Sequence, residues 1–189
     1  IADRFGEFPT GYTMDTAVTR FDGQAIGLAH HTLADGLYRN VSLDWGRALR
    51  LMSRTFTHGE GLQFATTGVT NLSHITHTLD LAGAAFATAR VAAALGNASV
   101  HRRMMGLADA YVNAFNRSSC MPRGDGRYYE GTAVNYAFRL LPDMASRIAL
   151  CNSTPASFVA RMDAFFGYGR ADPLVQLPVV PQDQWGGST

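Results

Sequence analysis

The chain has no lysine; all sixteen of its basic residues are arginine. Fifteen acidic residues oppose them, and only three of these, Glu7, Glu60 and Glu130, are glutamate. Net charge is +1 and no basic stripe occurs, so nucleic-acid binding has no electrostatic support. No run of about 18 apolar residues is present, which excludes a membrane-spanning helix. There are two cysteines, Cys120 and Cys151, without a Cys-x-x-Cys or Cys/His cluster, so zinc has no ligand set. No glycine-elbow serine supports Ser-His-Asp chemistry, and no fixed-period repeat supports a solenoid. The first residue is Ile1, with no initiating Met and no signal peptide in the sequence, and the expectation is a mature or internally processed chain.

What is present fits a single globular domain with a sizeable core: 189 residues, 47% of them apolar. Seven asparagines occur, and five begin Asn-x-Ser/Thr sequons: Asn40, Asn71, Asn97, Asn116 and Asn152. With Ser and Thr near one residue in seven, chance gives about one. All five fall between expected helices, where a glycan projects into water. Polar loop residues matching by accident is the plain alternative; a secreted glycoprotein made in the secretory pathway is the expectation. Cys120 and Cys151 suit that compartment. Either they bridge, closing a loop of about 30 residues worth roughly 3 kcal/mol, or they are two buried thiols.

Apolar periodicity gives six helical stretches and no convincing strands. Residues 21–38 place Phe21, Ile26, Leu28, Leu33 and Leu37 near one face. Ser42 or Asp44 caps a second helix reaching Thr55, with Trp45, Leu49 and Met52 on one side. Residues 56–70 are glycine-rich and read as a loop. Residues 72–96 form the strongest helix, its alanines suiting close packing on several sides and Gly96-Asn97 stopping it. Ser99 opens a fourth through Phe115, and a fifth over 132–150 must break near Pro142. Thr154 and Pro155 open a sixth that ends at Gly167 with Phe158, Met162 and Phe165 inward. The fold class expected is all-α, built of helical hairpins, with 1–20 an extended segment, 21–167 the helical domain and 168–189 an extended tail.

His30-His31 and the His74/His77 pair have ligand-like spacing, yet no third ligand accompanies either, and no metal site is assigned. The segment from Met121 to Gly131 is different. It sets Tyr128 and Tyr129 beside Glu130 on a glycine-flanked bend, with Arg123 and Asp125 nearby. Sugar sites need flat ring faces, polar groups for hydroxyls and a partly desolvated acid to protonate a leaving oxygen. A buried loop with a helix-starting glutamate would show the same residues.

Four motifs in order resemble a known family. "ARVAAALGN" (89–97), "YVNAFNRSSCMPRGDG" (111–126), "EGTAVNYAFRLLPDM" (130–144) and "SFVARMDAFFG" (157–167) are similar to the calcium-dependent exo-α-mannosidases of glycoside hydrolase family ninety-two. The resemblance runs from about residue 11 to 166. It implies part of an (α/α)6 toroid, about three hairpins, which in the family stands behind a β-sandwich domain. It implies an inverting acid/base reaction on α-linked mannosides with Glu130 as general acid; Arg123, Asp125, Tyr128 and Tyr129 are the sugar-binding residues expected from the segment's own chemistry. Calcium ligands and the catalytic base lie, in the family, beyond the matched region, so calcium belongs to a longer protein and the partners implied are a glycan and the remaining polypeptide or other chains of an assembly. Thr132, Val134, Asn135 and Pro142 stand where the family has Asn, Trp, Gln and His. A non-catalytic extracellular glycoprotein using this scaffold for assembly or glycan binding is therefore the second reading.

Overall fold

Asparagine, glycine and threonine punctuate this chain at the helix ends. The computed structural model describes residue 8 and residues 27–71, 74–123, 128, 132–138, 143–150 and 154–168. Among them the secondary structure is helical, without strands, and the expected all-α class holds; Phe115 and Pro122 make one isolated antiparallel bridge. Internal contacts divide the chain into a first unit, residues 1–114, and a second, residues 115–189.

In the first unit, α1 (Leu28–Tyr38) ends where Asn40 enters the left-handed region at φ 55°. Val41 N then donates to Gly36 O and Asn40 N to Leu37 O, the paired bonds that close a helix end. Of the two caps expected for α2 (Trp45–Arg54), Asp44 serves, accepting from Arg47 N at 2.9 Å. Leu49 and Met52 are buried as the periodicity predicts. On α1 the inward residue is His30, whereas Leu28 is 54% exposed. Here a polar ring displaces an aliphatic one because it finds an internal partner, described below.

The expected loop over 56–70 is mostly helix: a 3-10 turn (Thr55–Thr57) followed by α3 (Gly59–Thr67). Its glycines are positional. A Cβ on Gly61 would stand 1.8 Å from Thr55 O, so only glycine allows that backbone approach. Gly68 at φ 76° terminates α3, its N–H donating to Phe64 O.

The Ala-rich helix α4 (His74–Ala94) packs against α1, α2, α3 and α5. Ala82, Ala84, Ala85, Ala87, Ala89, Val91 and Ala92 are all buried, which explains why its apolar residues follow no single stripe. Gly96 at φ 70° and Asn97 end it, with Asn97 N donating to Ala92 O and Gly96 N to Ala93 O. Asn97 at once caps α5 (Ala98–Ala108) by accepting from Val100 N, a position the sequence reading gave to Ser99. The chain tightens to a 3-10 helix over Asp109–Ala114 instead of continuing as α-helix to Phe115. Leu49, Met52, Ala87, Val91 and Ala92 form a core cluster with Leu33, Leu37, Trp45 and Val100 against it. No helix among the described residues is long and apolar enough to cross a membrane.

In the second unit the expected fifth helix is two short ones, α6 (Ala133–Ala137) and α7 (Met144–Ala149), the latter capped by Asp143. Pro142, the expected break, lies outside the described residues. The sixth, α8 (Pro155–Phe166), opens on Thr154 with Pro155 at its first position and closes on Gly167 at φ 70°. Phe158 is its most buried residue; Met162 and Phe165 are half-buried.

Candidate functional site

The segment that carries the sugar-site motif begins with a tight turn. Asn116 Oδ1 accepts from Ser118 N, Ser118 Oγ and Ser119 N, while Asn116 N donates to Met121 O and Cys120 N to Asn116 O. Cys120 takes φ 58° inside this turn and is buried. The turn delivers Arg123 to the surface, where its carbonyl accepts from the Tyr128 hydroxyl at 2.7 Å. The Tyr128 ring lies 5.4 Å from that of Tyr136. Two of the expected sugar-binding residues, Arg123 and Tyr128, are thus brought together by one loop. Glu130, Asp125 and Tyr129 lie outside the described residues.

After the bend, Asn135 Oδ1 accepts from Thr132 N at 3.0 Å and from Thr132 Oγ1 at 2.9 Å. Both side chains are occupied in starting α6. The platform beneath is organised by Arg147, 3% exposed. Its Nη2 donates to Ala137 O at 2.6 Å and Cys120 O at 3.4 Å, and its guanidinium lies 4.3 Å from the Phe115 ring centre. One buried cation therefore ties the motif turn to α6 and α7. No sequence signal marked it, because its partners are backbone carbonyls and ring faces.

Cys120 Sγ lies 3.5 Å from Leu150 O. Its expected partner Cys151 lies outside the described residues, as does the sequon Asn152. Asn40, Asn71, Asn97 and Asn116 are all exposed.

The first unit holds two polar arrangements that sequence reasoning missed. His77, 2% exposed along its side chain, has Nδ1 2.8 Å from Glu60 Oε2. A carboxylate on Nδ1 fixes the orientation of the ring. Glu60 stands in the first turn of α3. Seventeen residues separate the pair, so only folding joins them. His30 is the second: fully buried, with Nε2 donating to Met52 O at 3.2 Å and its ring edge-on to Phe8 and Phe56. Burial lowers its pKa from 6.5 to about 4, against the raising effect of the Met52 carbonyl and with the neighbouring His31 adding to the fall. His30 is a neutral core residue. Among the described residues no three His, Cys, Asp or Glu side chains converge on a cation position, so the calcium of the resemblance finds no ligand set in them.

No protein-family model matches the sequence, and no curated protein matches it. Among solved structures the chain is similar to the family GH92 alpha-mannosidase from Bacteroides thetaiotaomicron, with a TM-score of 0.62 and 18% identity. The match covers 76% of this chain and 22% of that one. At this identity the likeness is one of fold, and the chain spans less than a quarter of that enzyme's length.

Proposed function

We propose that this chain is part of a secreted glycoside hydrolase that acts on α-linked mannosides by an inverting acid/base mechanism. The observation that carries the proposal is the agreement of two likenesses. The order of four motifs resembles family ninety-two, and the fold over 76% of the chain is similar to an α-mannosidase of that family.

In this reading Glu130 donates the proton to the leaving oxygen, and Arg123, Asp125, Tyr128 and Tyr129 hold the sugar. An inverting reaction needs a second carboxyl group across the scissile bond, with room for a water between. That base, and any calcium, would come from outside these 189 residues, consistent with the 22% share of the neighbour's length. The isolated chain is expected not to hydrolyse an α-mannoside. Release of chromophore from an aryl α-mannoside, assayed on the chain alone and on its full-length polypeptide, tests this; turnover by the lone chain overturns it.

One observation favours a second reading. Thr132 and Asn135, at positions where the family has Asn and Gln, are engaged with each other as a helix cap. In a scaffold that binds glycans without cleaving them, those positions would be released for such structural use. Mannoside binding by the full-length polypeptide with no turnover would select this reading.

A further inference from the structure

We propose that the groove between α2 and the start of α5 is a binding site for a small phosphate or sulfate ester. Its volume is about 560 Å³, and its lining includes Arg50, Arg54 and Arg103 together with Ser53, Leu49 and Val100.

Charge distribution is the first support. Three arginines line one groove, and no acidic residue does. The other thirteen arginines are outnumbered by fifteen acidic residues, so the overall balance does not demand this concentration. Arg50 and Arg54 stand at i and i+4 on α2, where like charges repel, and α2 contains no acidic residue to relieve them. The ion pairs seen among the described residues, Arg39–Asp35 and His77–Glu60, involve none of the three. Asp44, at the head of α2, has its Oδ1 turned to the Arg47 N–H as a cap.

The second support is the groove's other chemistry. Ser53 also lines the groove, its Oγ buried and without a hydrogen-bond partner. Leu49 and Val100 supply apolar wall on opposite helices. Guanidinium forks match the oxygens of a tetrahedral anion, while the wall favours an organic body over a bare ion. The volume falls within the range of small-molecule sites, and a long polymer would leave the single groove. Asn97 also lines it, so an N-glycan there would stand at its rim.

The test is isothermal titration of the full 189-residue chain, made without N-glycans, with phenyl phosphate, phenyl sulfate and neutral benzyl alcohol. At least one ester is expected to bind and the alcohol not; which ester binds identifies the headgroup. Arg50→Gln, Arg54→Gln and Arg103→Gln should each weaken binding about tenfold, the loss of one charge-assisted hydrogen bond. Arg103→Lys, which keeps the charge without the fork, should lie between. All three side chains are exposed, so unliganded melting midpoints should stay near the parent's. Failure of both esters to bind, or unchanged binding in the triple Gln variant with its fold intact, overturns the site.

Discussion

The Arg147 guanidinium stacks 4.3 Å over the Phe115 ring centre, inside the second unit, with Phe158 at 5.5 Å beyond. A cation between two ring faces is held by their quadrupoles, and its N–H groups reach two backbone carbonyls that would otherwise lose a donor. Arg147→Leu keeps apolar bulk but strands the Ala137 and Cys120 carbonyls. The expected cost is roughly 1–3 kcal/mol, the range for leaving a buried polar group unsatisfied. Urea unfolding measures it, and a loss confined to a few tenths would show that the carbonyls rehydrate freely.

His30 sets a pH dependence in the first unit. The folded chain holds its ring neutral down to about pH 4, whereas the unfolded chain takes up the proton near 6.5. Between these values the unfolded state binds more protons, so stability falls as pH falls. The full difference is worth roughly 3 kcal/mol. Unfolding midpoints at pH 7 and 4.5 should separate less in His30→Gln than in the parent; equal separations would remove His30 as the source.

Glycosylation is expected on at least some of Asn40, Asn71, Asn97, Asn116 and Asn152. The four described are exposed, and two of them also shape helix ends: Asn40 closes α1 and Asn97 caps α5. Ser42→Ala and Ser99→Ala therefore remove those sequons without touching the asparagine. Intact mass of protein from its native source should fall on endoglycosidase treatment, and a variant whose sequon is occupied in the parent should lose one glycan. No change in mass would contradict the secretory assignment.

Cys120 and Cys151 are expected to pair in an oxidising preparation. The Cys120 sulfur approaches the carbonyl of Leu150, the residue before Cys151 in sequence. Thiol titration of the unfolded, unreduced chain should find none, and reduction should cost about 3 kcal/mol. Two titratable thiols would exclude the bridge.

How far the sequence could be read depended on whether a residue's task was local. α8 was legible from end to end, because Thr154, Pro155 and Gly167 do their work within a few residues of where they stand. The close of α4 at Gly96-Asn97 was legible for the same reason. Residues 56–70 were not. Their glycines signal a loop, yet Gly61 serves a contact with Thr55 and Gly68 ends a helix that burial of Phe64 stabilises. Glu60 and His77 were invisible as a pair, since nothing at a spacing of seventeen residues marks a contact. In the motif loop, composition suggested that Tyr128 and Arg123 belong together; that the tyrosine hydroxyl would bind the arginine's own carbonyl required the folded turn.

We propose that Glu130 is the acid half of a two-carboxyl glycosidase site. General acids matter most when the leaving group is poor, because a stable phenolate departs without a proton. The most direct measurement is therefore turnover of an α-linked mannobioside and of a dinitrophenyl α-mannoside by the full-length polypeptide and its Glu130→Gln variant. The expected result is a loss of about 10²–10⁴-fold on the mannobioside, a much smaller loss on the dinitrophenyl substrate, and an unchanged circular dichroism spectrum. Undiminished turnover of the mannobioside by the variant would contradict it.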